Sequence, residues 1–299
     1  VQRVLIGKIE EIKVALVSLF AEGHLLIEDV PGVGKTTLAR ALARSIDCNF
    51  QRIQFTPDLL PLDILGVSIY NPQKEQFDFK PGPIFANIIL ADEINRAAPR
   101  TQSSLLEAMN DFQVTVDGAT YPLPRPFMVL ATQNPLEYQG TYPLPESQLD
   151  RFLIRLTLGY PDFEEERQVL TSQQFEHPLD TLEPVVTAED VIQLQRMVRE
   201  VRVEESLIDY LLEIVRRTRS MDNLEVGVSP RGSLALLRGA QALAFLEERN
   251  YCIPDDIKRL SLPILSHRVI LKSHLRGGGI RMAEELIEVS GAASVPRGF

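Results

Sequence analysis

Along the first 160 residues the apolar positions follow two alternating rhythms. Short β-rich runs recur at "HLLIE" (24–28), "FQRIQF" (50–55), "NIILA" (87–91), "FMVLAT" (127–132) and "LIRLTL" (153–158). Between them the spacing turns helical, over Ile9–Ala21, Lys35–Ile46 and Thr101–Asp111. The third and fourth runs are nearly continuous in apolar residues, as strands buried on both faces of a parallel sheet must be. Strand–helix alternation of this kind predicts an α/β fold around a parallel five-stranded sheet.

From about Pro161 the strand rhythm stops. Amphipathic segments follow at roughly 163–176, 188–200, 204–220, 230–249 and 255–267. In the third of these, Leu207, Tyr210, Leu211, Ile214 and Val215 give the stripe of a helix buried on one side. The pattern divides the chain into an α/β domain over 1–160 and an all-α domain over 161–299. Within the latter, "LRGGGIR" (275–281) reads as a joint before a last short helix and a tail. Two insertions interrupt the first domain. Residues 59–82 hold the alternating pieces "VSIY" and "QFDF" around Asn-Pro, and residues 113–123 alternate around Asp117-Gly118, a strong hairpin signal.

Composition narrows the classes. The 44% hydrophobic and 24% charged content are those of a soluble globular protein. A net charge of −10 and a pI near 5.1 argue against a broad footprint for nucleic acid or anionic lipid. Cys48 and Cys252 stand far apart and four histidines are scattered, which suggests neither a disulfide framework nor a zinc site. No run approaches the roughly 18 apolar residues of a membrane span, and no signal peptide opens the chain, so the cytoplasm is the expected compartment. The chain begins at Val1 rather than Met, which suggests missing N-terminal residues.

The chemistry concentrates at the ends of the strands. "DVPGVGKTT" follows a strand and opens a helix, so backbone N–H groups of Pro31-Gly32-Val33-Gly34 can converge on phosphate at a helix N-terminus. Lys35 would reach the β- and γ-phosphates of ATP, Thr36 would ligate Mg²⁺, and Thr37 completes the loop. Asp29, however, stands where the strict G-x-x-x-x-G-K-[ST] pattern has its first glycine, and its carboxylate would be destabilising if it faced the nucleotide. The strand "NIILADE" delivers Asp92 to hold the hydrated Mg²⁺ and Glu93 to polarise the attacking water. The strand "FMVLATQNP" ends in Asn134, whose carboxamide can bond both the γ-phosphate and that water.

These pieces in this order resemble the AAA+ ATPases. "DEINRAAPRTQSSLLEAMNDFQVTVDG" and "ATQNPLEYQGTYPLPESQLDRFLIRL" look very like the MoxR family, and "VSPRGSLALLRGAQALAFLEER" with "IPDDIKRLSLPILSHRV" match its helical lid. The similarity runs through essentially the whole chain. It implies an AAA+ P-loop NTPase core in which the fourth strand lies between the first and third, bringing Asn134 between Lys35 and Asp92–Glu93. It implies further roles: Arg151 in "LDRF" as the arginine finger that completes a neighbouring subunit's site, and Arg231 in "SPR" as the lid's sensor arginine. A guanidinium suits both, since it stays ionised and offers a planar fork to phosphate. Ile6-Gly7 matches the start of the adenine pocket, and Arg96 and Arg100 are candidates for a subunit interface. MoxR-like proteins carry Asp or Gly at the Asp29 position.

Residues 59–82 and 113–123 match the helix-2 insertion and pre-sensor hairpin of this clade. In MCM-type relatives such hairpins grip DNA with basic tips. Here 112–124 contains no Lys, Arg or His, and in 66–82 Lys74 and Lys80 are set against Glu75 and Asp78. Neither hairpin suits a phosphate backbone. The resemblance, with hairpins of this kind, implies a ring, a hexamer, that uses ATP for chaperone-like work on a protein client. Family partners often carry a von Willebrand factor A-type domain. The alternatives are a nucleic-acid-dependent motor and a nucleotide-gated scaffold with little turnover.

Overall fold

The computed structural model describes residues 1–135, 140–172 and 177–272. In chain order the first part contains α1 (Ile9–Phe20), β1 (Leu25–Glu28), α2 (Lys35–Ser45), β2 (Phe50–Gln54), α3 (Pro61–Leu65), β3 (Gly66–Asn71), β4 (Gln76–Pro81) and β5 (Ile88–Asp92). There follow α4 (Pro99–Asp111), β6 (Gln113–Val116), β7 (Ala119–Pro122), β8 (Met128–Gln133), α5 (Glu146–Leu149), β9 (Ile154–Leu156) and α6 (Phe163–Ser172). The main sheet has the order β2-β5-β8-β1-β9, with β2–β5, β5–β8 and β1–β8 all parallel. The fourth predicted strand, β8, thus lies between the first and the third.

The two central strands are apolar for a physical reason. Every residue of Ile88–Ala91 and Met128–Thr132 is buried, and each Ile, Leu, Val or Met side chain among them stabilises the fold by roughly 2 kcal/mol when withdrawn from water. Their polar residues come only at the C-terminal end, where the apolar run stops and solvent begins. The two insertions form two-stranded antiparallel hairpins, β3–β4 and β6–β7. Asp117 and Gly118 take positive φ values of 51° and 79°, the two-residue turn whose twist matches flanking strands. Phe79 of β4 stacks on Tyr121 of β7 with ring centroids 4.0 Å apart.

The last part contains α7 (Ala188–Arg199), α8 (Glu205–Ser220), β10 (Leu224–Val226), α9 (Pro230–Leu246), α10 (Pro254–Leu265) and β11 (Ile270–Leu271). Within the helical region the short antiparallel pair β10–β11 is an addition to the predicted pattern, too brief to show a period of its own. The stripe Leu207, Tyr210, Leu211, Ile214 and Val215 is buried on α8. Pro begins both α9 and α10, where its missing N–H costs nothing.

The chain gathers into two compact units. The first takes 1–12, 24–151 and 156–192; the second takes 13–23, 152–155 and the described residues from 193. Where the sequence suggested a division near residue 160, α6 and the segment to Ile192 group with the α/β unit. The backbone of Val185 donates to the Ser45 carbonyl at 2.9 Å, a tie too distant in sequence to be read from composition. The predicted continuation of α6 to 176, the joint at 275–281 and the C-terminal tail lie outside the described residues.

Candidate functional site

The loop between β1 and α2 closes over the C-terminal ends of the central strands. Its positive-φ positions are Gly32 at 89° and Gly34 at 98°, a backbone that side-chain-bearing residues rarely adopt. A Cβ on Gly32 would meet nothing within 4 Å, so that position faces open space. Gly34 is the N-cap of α2 and supplies no side-chain cap, and no acidic residue stands in the first turn. The helix thus begins with N–H groups that an anion can satisfy.

Asp29 answers the question its position raised. The residue is 6% exposed and its carboxylate is taken up by backbone N–H groups. Oδ2 accepts the backbone N–H of Leu158 at 2.8 Å and of Gly159 at 2.7 Å, while Oδ1 accepts that of Val30 at 2.8 Å. The carboxylate fastens the start of the loop to the strand end beyond β9. Lys35 Nζ donates to the Asp29 carbonyl at 2.8 Å, so backbone rather than carboxylate meets the lysine.

Pro31, Gly32, Gly34, Lys35, Thr36, Thr37, Asp92, Glu93 and Asn134 line one cavity of about 350 Å³, together with Arg52. Nine residues singled out by sequence are thereby brought together. Val33, Ile6 and Gly7 do not line it. Gly7 packs against α6, where a Cβ would fall 1.9 Å from Oε1 of Glu165. Arg151, at the end of α5, is half-buried and donates Nη1 to the Leu106 carbonyl of α4 at 2.6 Å, away from the cavity lining. Arg231 belongs to the second unit, exposed on the first turn of α9. Arg96 pairs with Glu93 at 3.1 Å, and Arg100 is exposed.

The two acidic residues are held by partners that the sequence reading passed over. Thr132, fully buried at the end of β8, donates its hydroxyl to Oδ1 of Asp92 at 2.6 Å and accepts the Glu93 N–H at 2.9 Å. Glu93 itself sits at φ 57°, a left-handed conformation costing a side-chain-bearing residue about 1–2 kcal/mol. Arg52 donates to Oδ2 of Asp92, and Gln54 donates its amide to Oε2 of Glu93 at 2.8 Å. The register that pairs Gln54 with Asp92 sets both β2 side chains beside the acidic pair. Their signal was present in "FQRIQF", where Arg52 and Gln54 share one face by period two.

Thr36 and Asp92 present hard oxygen donors to the same cavity, the ligand type Mg²⁺ selects, and the loop backbone and Lys35 suit phosphate. The second unit has a larger groove, about 670 Å³, floored by Val201 and Phe245. Its Arg249 is paired with Asp256 through contacts of 2.6 and 2.8 Å.

Comparison with known proteins agrees with this geometry. Residues 24–154 match the family model "ATPase family associated with various cellular activities (AAA)", and 216–288 match the AAA lid domain. Over 99% of this chain and 92% of its own length, the Bacillus subtilis (strain 168) protein YeaC is 54% identical. Chaperone MoxR1 of Mycobacterium tuberculosis is 41% identical over 91% of this chain and 74% of its own length. A crystal structure from Cytophaga hutchinsonii, described as that of a candidate ATPase, superposes with a TM-score of 0.91 at 40% identity, covering 99% of this chain and 92% of that one.

Proposed function

This chain belongs to the MoxR family of AAA+ ATPases, and on that premise we propose that it hydrolyses ATP with Mg²⁺ to remodel, mature or assemble a partner protein. The observation that carries the hydrolytic half is the convergence of Lys35, Thr36, Asp92, Glu93 and Asn134 on one cavity.

In this reading the loop N–H groups and Lys35 bind the β- and γ-phosphates, and Thr36 with Asp92 holds the cation. Magnesium, when bound, neutralises charge on the phosphate oxygens. Glu93 takes the proton of the attacking water, and the Asn134 carboxamide orients that water toward the γ-phosphorus. Thr132 keeps the two carboxylates on separate tasks: its hydroxyl holds Asp92 while its oxygen fixes the backbone that aims Glu93. Arg151, directed at α4 rather than its own cavity, suits a role at a neighbour's nucleotide, which requires a ring, and we take a hexamer as its form. Arg231 serves as the lid's sensor arginine, and Ile6 with Gly7 borders the adenine.

The choice of a protein client rests on the hairpins. Lys74 of the first is paired with Asp78 at 3.4 Å, while Tyr70 and Phe77 stand 51% and 70% exposed with rings 5.4 Å apart. An exposed aromatic pair on a hairpin whose Lys74 is already paired with an acid suits polypeptide better than a phosphate backbone. A von Willebrand factor A-type domain is the client class this family reading favours. No helix among the described residues is long and apolar enough to cross a membrane, and we assign the activity to the cytoplasm.

The test is ATP turnover per subunit over a wide protein concentration range, for the wild type and Arg151→Ala. A cooperative rise in the wild type that the variant lacks is expected. A flat rate indifferent to Arg151 would remove the ring from the proposal. Strong stimulation by DNA without any protein partner would replace the client with nucleic acid.

A further inference from the structure

Arg52 is a cation in the cavity that the reaction as outlined does not use. It stands on the edge strand β2 with its side chain 49% exposed. Nε and Nη2 both donate to Oδ2 of Asp92, at 3.1 and 2.5 Å, and Nη2 also donates to Oε1 of Gln54 at 2.8 Å. The other carboxylate oxygen, Oδ1, accepts the buried Thr132 hydroxyl at 2.6 Å. Both oxygens of the carboxylate assigned to the metal therefore already have donors on the protein, and one of those donors carries a full positive charge.

Two roles are open to such an arginine. It could orient Asp92 for the metal, or it could contend with the metal for the same oxygen. Thr132 decides between them. A fully buried hydroxyl already fixes the carboxylate, so orientation does not require a second donor. A half-exposed guanidinium on an edge strand, by contrast, is held by a solvent-screened pair and one hydrogen bond to Gln54, and can leave at modest cost. A divalent cation approaching Asp92 meets its like-charge repulsion first.

We propose that Arg52 sets the metal affinity of the nucleotide site by competing with Mg²⁺ for Oδ2 of Asp92. The inference rests on the reading of Asp92 as the metal-side carboxylate. It makes metal binding coincide with withdrawal of Arg52 from Asp92, which also removes the donor on Gln54 Oε1.

The test uses the full chain with a non-hydrolysable ATP analogue and follows Mn²⁺ binding by electron paramagnetic resonance. Arg52→Gln is expected to bind Mn²⁺ about tenfold more tightly than the wild type, the scale of an ordinary coupling between two sites. Arg52→Lys, which keeps the charge, is expected to stay within about threefold. Nucleotide affinity in EDTA should be equal in all three proteins. Unchanged or weaker Mn²⁺ binding by Arg52→Gln would overturn the competition, and loss of nucleotide affinity in EDTA would make Arg52 a phosphate ligand instead. Asp92→Asn separates the two levels. If it leaves Mn²⁺ affinity intact, the reading of Asp92 fails; if it weakens binding while Arg52→Gln has no effect, only the competition fails. In the wild type the ¹⁵Nε–H signal of Arg52 should move on adding Mg²⁺ to the analogue complex, and a stationary signal would count against the proposal independently of any stability change in Arg52→Gln.

Discussion

The carboxylate of Asp29 accepts the backbone N–H of Gly159 at 2.7 Å, across 130 residues of sequence. This contact explains how a phosphate loop keeps its shape without the first glycine of the strict pattern. The aspartate serves the framework and leaves the cradle to Gly32 and Gly34.

Removing that carboxylate strands three N–H groups, those of Val30, Gly159 and the 2%-exposed Leu158. Bonds from backbone N–H to an ionised acceptor contribute more than neutral ones, and a stranded donor keeps its desolvation cost. Asp29→Ala is expected to lower unfolding stability by about 3 kcal/mol, with ATP affinity of the folded protein changed only a few-fold. Urea unfolding and nucleotide titration check both halves. Intact stability with lost ATP binding would mean that the carboxylate works at the nucleotide.

Lys35 and Glu93 line the same cavity but are assigned opposite duties. Lys35→Ala should abolish nucleotide binding, because no other side chain on the loop supplies a positive charge to the β- and γ-phosphates. Glu93→Gln should retain ATP and lose turnover, since the amide cannot take a proton from water. Equilibrium binding of a fluorescent ATP analogue beside a phosphate-release assay distinguishes them. Tight binding by the lysine variant would show the loop to be misread.

Thr132→Val is nearly isosteric but deletes a hydroxyl that bonds Asp92 and the Glu93 backbone at once. An unsatisfied N–H at a left-handed residue remains, at a cost of about 1–3 kcal/mol. Turnover is expected to fall about tenfold, on the scale of a misaligned general base, while binding of ATP without metal is little affected. Wild-type kcat in a folded Thr132→Val protein would show that the acidic pair is aimed by other contacts.

His24 makes stability depend on pH. It is buried, its Nδ1 accepts the Val129 N–H at 3.1 Å, and Nε2 donates to the Met109 carbonyl at 3.0 Å, so the neutral ring is the bonded form. Burial pushes its pKa down to about 4 from 6.5, against a smaller opposing effect of the Met109 bond. The unfolded chain therefore takes up the proton first as pH falls. The stabilisation is complete above about pH 6.5 and is lost progressively down to about pH 4, roughly 3 kcal/mol in all. Burial and the adjacent Arg268 depress His267 in the same direction. Unfolding free energies should drop by about 1 kcal/mol or more between pH 6.5 and 5.5, above the range where carboxylates titrate. A flat profile there would mean that His24 accepts its proton in place.

The sequence by itself determined what depends on local pattern. The apolar runs fixed β5 and β8 as central strands, Asp117-Gly118 fixed a hairpin, and the glycines of 31–34 with Lys35 marked a phosphate cradle, because period, turn geometry and left-handed backbone are properties of neighbouring residues. Only the tertiary structure decided which side chains share the cavity with them. Arg52 and Gln54 meet Asp92 and Glu93 through the register of β2 on β5, and Thr132 reaches both from the adjoining strand β8. Asp29 reads in one dimension as a fault in a motif; it becomes a fastening only when the chain beyond β9 returns to lie beside it. Hydrogen bonds between strands are chosen by register and packing, and neither is written in the residues on either side of the ones that bond.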